Sequence, residues 1–149
     1  MSNLQYGIAW SDKYKLGNDK VDSQHYKLFE MVSNLVGACM DGSDIAKLRE
    51  TLNFLVTYTV QHFNDEEALQ LKYHYPEYIK HKKLHEDFKA TVLELVKRFG
   101  DSGSPVELSN DVNKIVIRWL INHINIEDRK IGAYIKKCDS SGQHMAAGI

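Results

Sequence analysis

Five histidines and three carboxylates stand at spacings that could hold metal. His62 and Glu66 are four residues apart, as are His81 and His85; Glu127 and Asp128 closely follow His123, and His25 stands in VDSQH. A spacing of four puts both side chains on one face of a helix. Imidazole and carboxylate together are donors that first-row metals accept. Singly, each has an ordinary reading: His25 as a surface or core residue, His62 beside an acidic patch, and the pair in HKKLHEDF as a solvated face among lysines. Only their joint placement can lift them above that, and placement depends on the elements that carry them.

Seven histidines and only two prolines in 149 residues leave few breakers in the chain, which favours long helices. The first is expected to start at Asp22 or Ser23, both good N-caps, to carry Leu28, Met31, Val32, Leu35 and Val36 at helical spacing, and to stop at Asp41-Gly42. Ser43 or Asp44 caps the second, which runs through Tyr73 and ends before His74-Tyr75-Pro76, because a residue preceding proline avoids the helical region. Pro76 suits the first turn of the third, and Gly100 closes it. The fourth runs from Val106 or Ser109 to Cys138. Residues 1–20, with Tyr6, Trp10, Tyr14 and Gly17, read as an ordered arm packed on the helices, and residues 139–149 as a tail. The expected fold is all-α: an up-down-up-down antiparallel four-helix bundle with an N-terminal arm, one domain over residues 1–138.

Such a bundle brings the donors level. His62 and Glu66 lie late in the second helix and His81 and His85 early in the third, while His25 near the start of the first meets the later part of the fourth, where His123 and the acidic pair stand. His74, in a turn, and His144, in the tail, are left out as solvent-exposed. Five imidazoles and two carboxylates exceed the roughly six positions of one ion and suggest two. With bridging carboxylates and a bridging oxygen, one position stays open, and mixed nitrogen and oxygen ligation with a vacancy suits iron and a small molecule such as dioxygen.

Other chemistries fit less well. No histidine has a glutamate three residues before it, so the Glu-x-x-His pairs of ferritin-like bundles are missing. His85-Glu86 continues Asp-Phe-Lys, so HExxH is missing too. A net charge of −1 gives no field for nucleic acid or anionic membrane. Cys39 and Cys138 are isolated, which argues against a disulfide scaffold or zinc ribbon. Without an apolar leader or a run long enough to span a bilayer, the expectation is a soluble, cytoplasmic protein with no membrane insertion.

HFNDEE, then YP, HKKLHEDF and WLINHINIED, with VDSQH ahead of them, resemble the hemerythrin signature through Tyr134. The N-terminal IAWSDKYKLGNDKVDSQH and the chain length are similar to bacterial single-domain hemerythrins. The resemblance implies a non-enzymatic protein that binds dioxygen reversibly at two iron ions joined by an oxo or hydroxo bridge, for storage, delivery or sensing. By it, His81, His85 and His123 serve one iron, His25 and His62 the other, and Glu66 and Asp128 bridge both. On a straight helix Asp128 points about 140° from His123 and Glu127 shares its face; the family pattern takes Asp128, which a local widening of the helix would allow. Gln70 stands where the family commonly has methionine, and its amide either bonds near the cluster or points to solvent. Leu120, Trp119, Phe63 and Ile124 are the expected wall of an oxygen pocket. Rival readings of the same open iron are a di-iron oxidase or peroxidase and a nitric-oxide-handling protein; a regulatory module is a third.

Overall fold

The four amphipathic stretches form four helical rods in a computed structural model that describes residues 8–141. Tyr6, His144 and the tail from residue 142 lie outside the described residues. The rods are α1 (Asp19–Met40), α2 (Ile45–Lys72), α3 (Tyr78–Ser102) and a composite fourth rod. That last rod comprises α4 (Pro105–Asp111), a π-helical stretch π1 (Val112–Ile117), α5 (Arg118–Asn122), a second one π2 (His123–Asp128), and α6 (Arg129–Ser141). Backbone angles stay in the right-handed helical region at every junction, so it is one continuous rod. α1 packs against α2 and the fourth rod, and α3 against α2 and α4, closing a ring around the core. The fold is an all-α bundle, as the periodicity predicts.

Several boundaries differ from expectation, for local reasons. α1 begins before Asp22: Asn18 is the N-cap, accepting from the Val21 amide at 3.0 Å. Asp22 instead reaches back to the Leu16 and Gly17 amides, at 2.7 and 3.1 Å, pinning the arm to the helix. α3 begins at Tyr78 because Pro76 and Glu77 form a turn closed by the Tyr78 amide on Tyr75. It also runs through Gly100, whose cost inside a helix is only about 1 kcal/mol. The left-handed cap falls at Gly103, φ +60°, whose amide reaches Phe99 O at 2.7 Å. Ser104 and Pro105 then start α4 at once, with the Ser104 hydroxyl capping Glu107. At the far end α6 reaches Ser141, beyond the expected stop at Cys138.

The arm packs as expected over residues 8–18. Ile8 and Tyr14 are buried, Trp10 and Tyr14 meet Phe29 edge-on at 5.3 and 4.9 Å, and Ser33 donates to Ile8 O at 2.8 Å. At the other end of the arm Leu16 lies on Gly132, where any Cβ would meet Leu16 O at 3.0 Å. Leu28, Leu35, Leu48, Leu95, Leu108 and Ile124 fill the core, each worth about 1.5–3 kcal/mol when buried. No helix among the described residues is long and apolar enough to cross a membrane.

Candidate metal centre

Where the four rods meet near the start of α1, seven side chains converge. His25 comes from α1, His62 and Glu66 from α2, His81 and His85 from α3, and His123 and Asp128 from the two ends of π2; all seven are buried. The π turn brings Asp128 in. Its wider period carries the residue five positions on back toward the face of the first, so Asp128 Oδ1 stands 3.1 Å from His123 Nε2. Glu127, favoured by straight-helix spacing, turns away and pairs with Lys130 at 3.6 Å.

The two carboxylates divide their oxygens. Glu66 Oε1 faces His81 at 2.8 Å and His85 at 3.2 Å, while Oε2 faces His62 at 3.3 Å and His25 at 3.7 Å. Asp128 Oδ1 faces His81 and His123, both at 3.1 Å, while Oδ2 faces His25 at 3.1 Å. Two donor sets result: Glu66, His81, His85, His123 and Asp128, and His25, His62, Glu66 and Asp128. Within the first, His123 Nε2 lies 3.1 Å from His81 Nε2 and 3.2 Å from His85 Nε2. An octahedral ion with bonds of roughly 2.1 Å spaces adjacent ligands about 3.0 Å apart, so the donor set fits a metal. Both His25 nitrogens, Glu66 Oε2 and both Asp128 oxygens lack hydrogen-bond partners within the protein, as donors meant for an ion would.

Outer partners aim the rings. His62 Nδ1 meets Gln24 Oε1 at 2.7 Å, and the Gln24 amide in turn donates to Asp65 at 2.8 Å; His85 Nδ1 donates to Glu67 Oε2 at 2.8 Å. With Nδ1 engaged, Nε2 presents its lone pair to the centre. Sequence reasoning missed Gln24, Asp65 and Glu67. Their only signal was adjacency: Asp65-Glu66-Glu67 reads as an acidic patch, yet the helix turns the three carboxylates toward three different neighbours.

Charge balance within the centre is set by the same contacts. Burial pulls the His25 and His81 imidazoles down, but Asp128 and Glu66 outweigh it and hold both at about 9. Burial pushes Glu66 up, and four imidazoles outweigh it, keeping the carboxyl well below its ordinary range. Asp128 is likewise lowered, burial and Glu66 being outweighed by His123 and His25. Protons on His25 and His81 thus balance two buried carboxylates wherever no cation does so.

The expected pocket wall lies inward of the cluster. Phe63 stacks on His85 at 3.9 Å and meets His62 at 5.9 Å; Trp119 stacks on His123 at 4.2 Å. Phe63 and Trp119 therefore bear directly on the clustered imidazoles, while Leu120 and Ile124 are buried among the core residues. Gln70 is fully buried, which removes the solvent-facing alternative. His74 is exposed in the turn at φ +54° and stays out of the cluster.

The family model for the "Hemerythrin HHE cation binding domain" matches residues 16–135. The chain belongs to the hemerythrin family. All seven cluster residues fall inside the hemerythrin match. The chain is 33% identical over 129 residues to a bacteriohemerythrin of Stenotrophomonas maltophilia, covering 87% of this chain and 82% of that protein. It is 35% identical over 121 residues to a bacteriohemerythrin of Pseudomonas aeruginosa PAO1, covering 81% and 76%. A myohemerythrin of Theromyzon tessulatum is 31% identical over 121 residues, covering 81% and 88%. Hemerythrins are oxygen-binding proteins rather than enzymes.

Proposed function

We propose that the chain binds dioxygen reversibly at a pair of iron ions, for oxygen storage, delivery or sensing in the cytoplasm. His81, His85 and His123 would hold one ion, His25 and His62 the other, with Glu66 and Asp128 shared. The observation that carries this is the division of each carboxylate between a three-histidine and a two-histidine set. The smaller set has one nitrogen donor fewer, and so leaves room for a diatomic ligand. Bound iron supplies electrons that can be lent to oxygen and recovered, chemistry that no side chain here offers.

The chain's own part is to hold, shield and balance. Gln24 and Glu67 fix two imidazoles by their Nδ1 atoms, which costs no reorganisation when metal arrives. Phe63 and Trp119 cover the inner rings, and Leu120 and Ile124 add apolar surface. An apolar wall admits dioxygen and keeps out the water and acids that turn binding into oxidation. Two carboxylates offset part of the charge of two divalent ions, so the buried site does not bear it all.

The test is the visible spectrum of anaerobically reduced, iron-loaded protein before and after oxygen, with iron counted per chain. Colour that appears with oxygen, fades under argon and accompanies two irons supports reversible binding. Colour that decays without release favours the oxidase or peroxidase reading. A protein that takes up no iron would refute both.

A further inference from the structure

The two donor sets are not held alike from outside. In the three-histidine set, His85 Nδ1 donates straight to the Glu67 carboxylate at 2.8 Å. In the two-histidine set, neither His25 nitrogen has a hydrogen-bond partner in the protein, so His62 is the ring anchored from behind. Its anchor is an amide rather than a carboxylate: Gln24, buried between α1 and α2, sets Oε1 2.7 Å from His62 Nδ1. An amide has two unlike edges, a carbonyl that only accepts and an NH2 that only donates. Which edge faces His62 is decided on the far side, where Gln24 Nε2 donates to Asp65 Oδ2 at 2.8 Å. A carboxylate accepts and cannot donate, so Asp65 takes the NH2 edge and leaves the carbonyl for the imidazole. A neutral imidazole has one N–H, and the carbonyl claims it at Nδ1, which leaves the Nε2 lone pair on the side of Glu66 and the centre. With the amide turned over, Nδ1 would have to accept, and the proton would sit on Nε2, where a metal must bind.

We propose that Asp65 is a positioning residue of the two-histidine set: through the Gln24 amide it fixes which His62 nitrogen is free for the ion with the open position. It acts at one remove, through Gln24, and not as a ligand. Lys20, one turn before Gln24 on α1, stands 3.8 Å from the same Asp65 oxygen. A pair open to solvent at that distance is weak, so the strength of the relay lies in its two short bonds. Asp65 and Glu67 flank Glu66 symmetrically in the sequence, yet Glu67 reaches its ring directly and Asp65 reaches His62 through an amide. The affinities of the two ions can therefore be set separately. The proposal rests on the di-iron reading, since it concerns the second of two ions.

The experiment titrates metal-free protein with ferrous ion under anaerobic conditions and reads the affinity of each of two steps. The tighter step belongs to the five-donor set and the weaker to the four-donor set. Asp65→Leu, close in bulk and without an acceptor, is expected to weaken the second step about tenfold and to leave the first unchanged. Asp65→Asn loses the charge but keeps a carbonyl for the Gln24 amide, and should stay within about threefold of wild type. Gln24→Leu should weaken the same step, and adding Asp65→Leu to it should cost nothing more, because the two side chains act as one unit. A loss in Asp65→Asn as large as in Asp65→Leu would overturn the proposal, for Asp65 would then act by charge alone. Equal losses at both steps, or additive losses in the double variant, would overturn it as well. If Asp65→Leu does not fold, Asp65→Ala carries the same comparison. Wild type that binds a single ion would refute the di-iron reading, whereas two ions bound with unchanged affinities in Asp65→Leu would remove the role of Asp65 alone.

Discussion

Removing the metal should leave a protein whose stability falls as the pH rises. His25 and His81 sit at about 9 in the fold because Asp128 and Glu66 outweigh the pull of burial, against 6.5 unfolded. A group raised on folding contributes stability that is fully present below its unfolded value and lost as the pH climbs through its folded one. Glu66 and Asp128 are lowered, so their contribution is present above the ordinary carboxylate range and lost as the pH drops below it. The metal-free protein is therefore most stable at about pH 5–6.5. Each imidazole is worth about 3 kcal/mol across its interval, at 1.36 kcal/mol per pH unit. Because both lean on the same two carboxylates, the two contributions do not add, and the expected loss between pH 6.5 and 9.5 is on the order of 3–5 kcal/mol. For a chain of this size that is a drop in melting temperature of about 10 °C. Thermal unfolding of chelator-stripped protein at pH 6.5, 8 and 9.5 measures it, with iron-loaded protein alongside. Loaded protein should change little, since cations replace the protons. A metal-free melting temperature that stays level or rises toward pH 9.5 would refute the account of the centre as a charge-balanced cluster.

The same balance predicts that metal loading at pH 7.5 releases about two protons per chain from His25 and His81, in addition to those that a bridging water gives up, readable by indicator dye in weak buffer; release of no more than the bridge accounts for would mean that the cluster was already neutral. His85→Ala should lower iron per chain by elemental analysis while His74→Ala leaves it unchanged, and full loading of the first would remove His85 from the donor set. Asp128→Ala should likewise cost iron, and Glu127→Ala, whose carboxylate faces Lys130, should not; the reverse order would show that the π turn is not kept in solution. Gly132→Val should lower stability by about 1–3 kcal/mol in chemical denaturation, because the new side chain meets Leu16 where the arm crosses; no change would mean that the arm yields freely.

Much of the architecture was legible from one dimension. Helical periodicity, few prolines and short connections determine four antiparallel rods, and a spacing of four places His62 with Glu66 and His81 with His85 wherever those rods lie. The resemblance to hemerythrins also names Asp128. What local rules leave open is everything set by neighbours across the bundle. Straight-helix geometry favours Glu127, and only the π turn, with His25 and His81 waiting on other rods, brings Asp128 round instead. Gly100 and Gly103 are equal as caps in sequence, and the second prevails where Ser104 and Pro105 can start the next helix at once. Gln24 reaches across to His62, and Glu67 to His85, contacts between residues 38 and 18 positions apart that no periodicity encodes. Gln70 has the same one-turn relation to Glu66 whether the helix end is wet or dry. Its burial comes from packing around the end of α2, because solvent exposure is a property of what covers a residue and not of the residue itself.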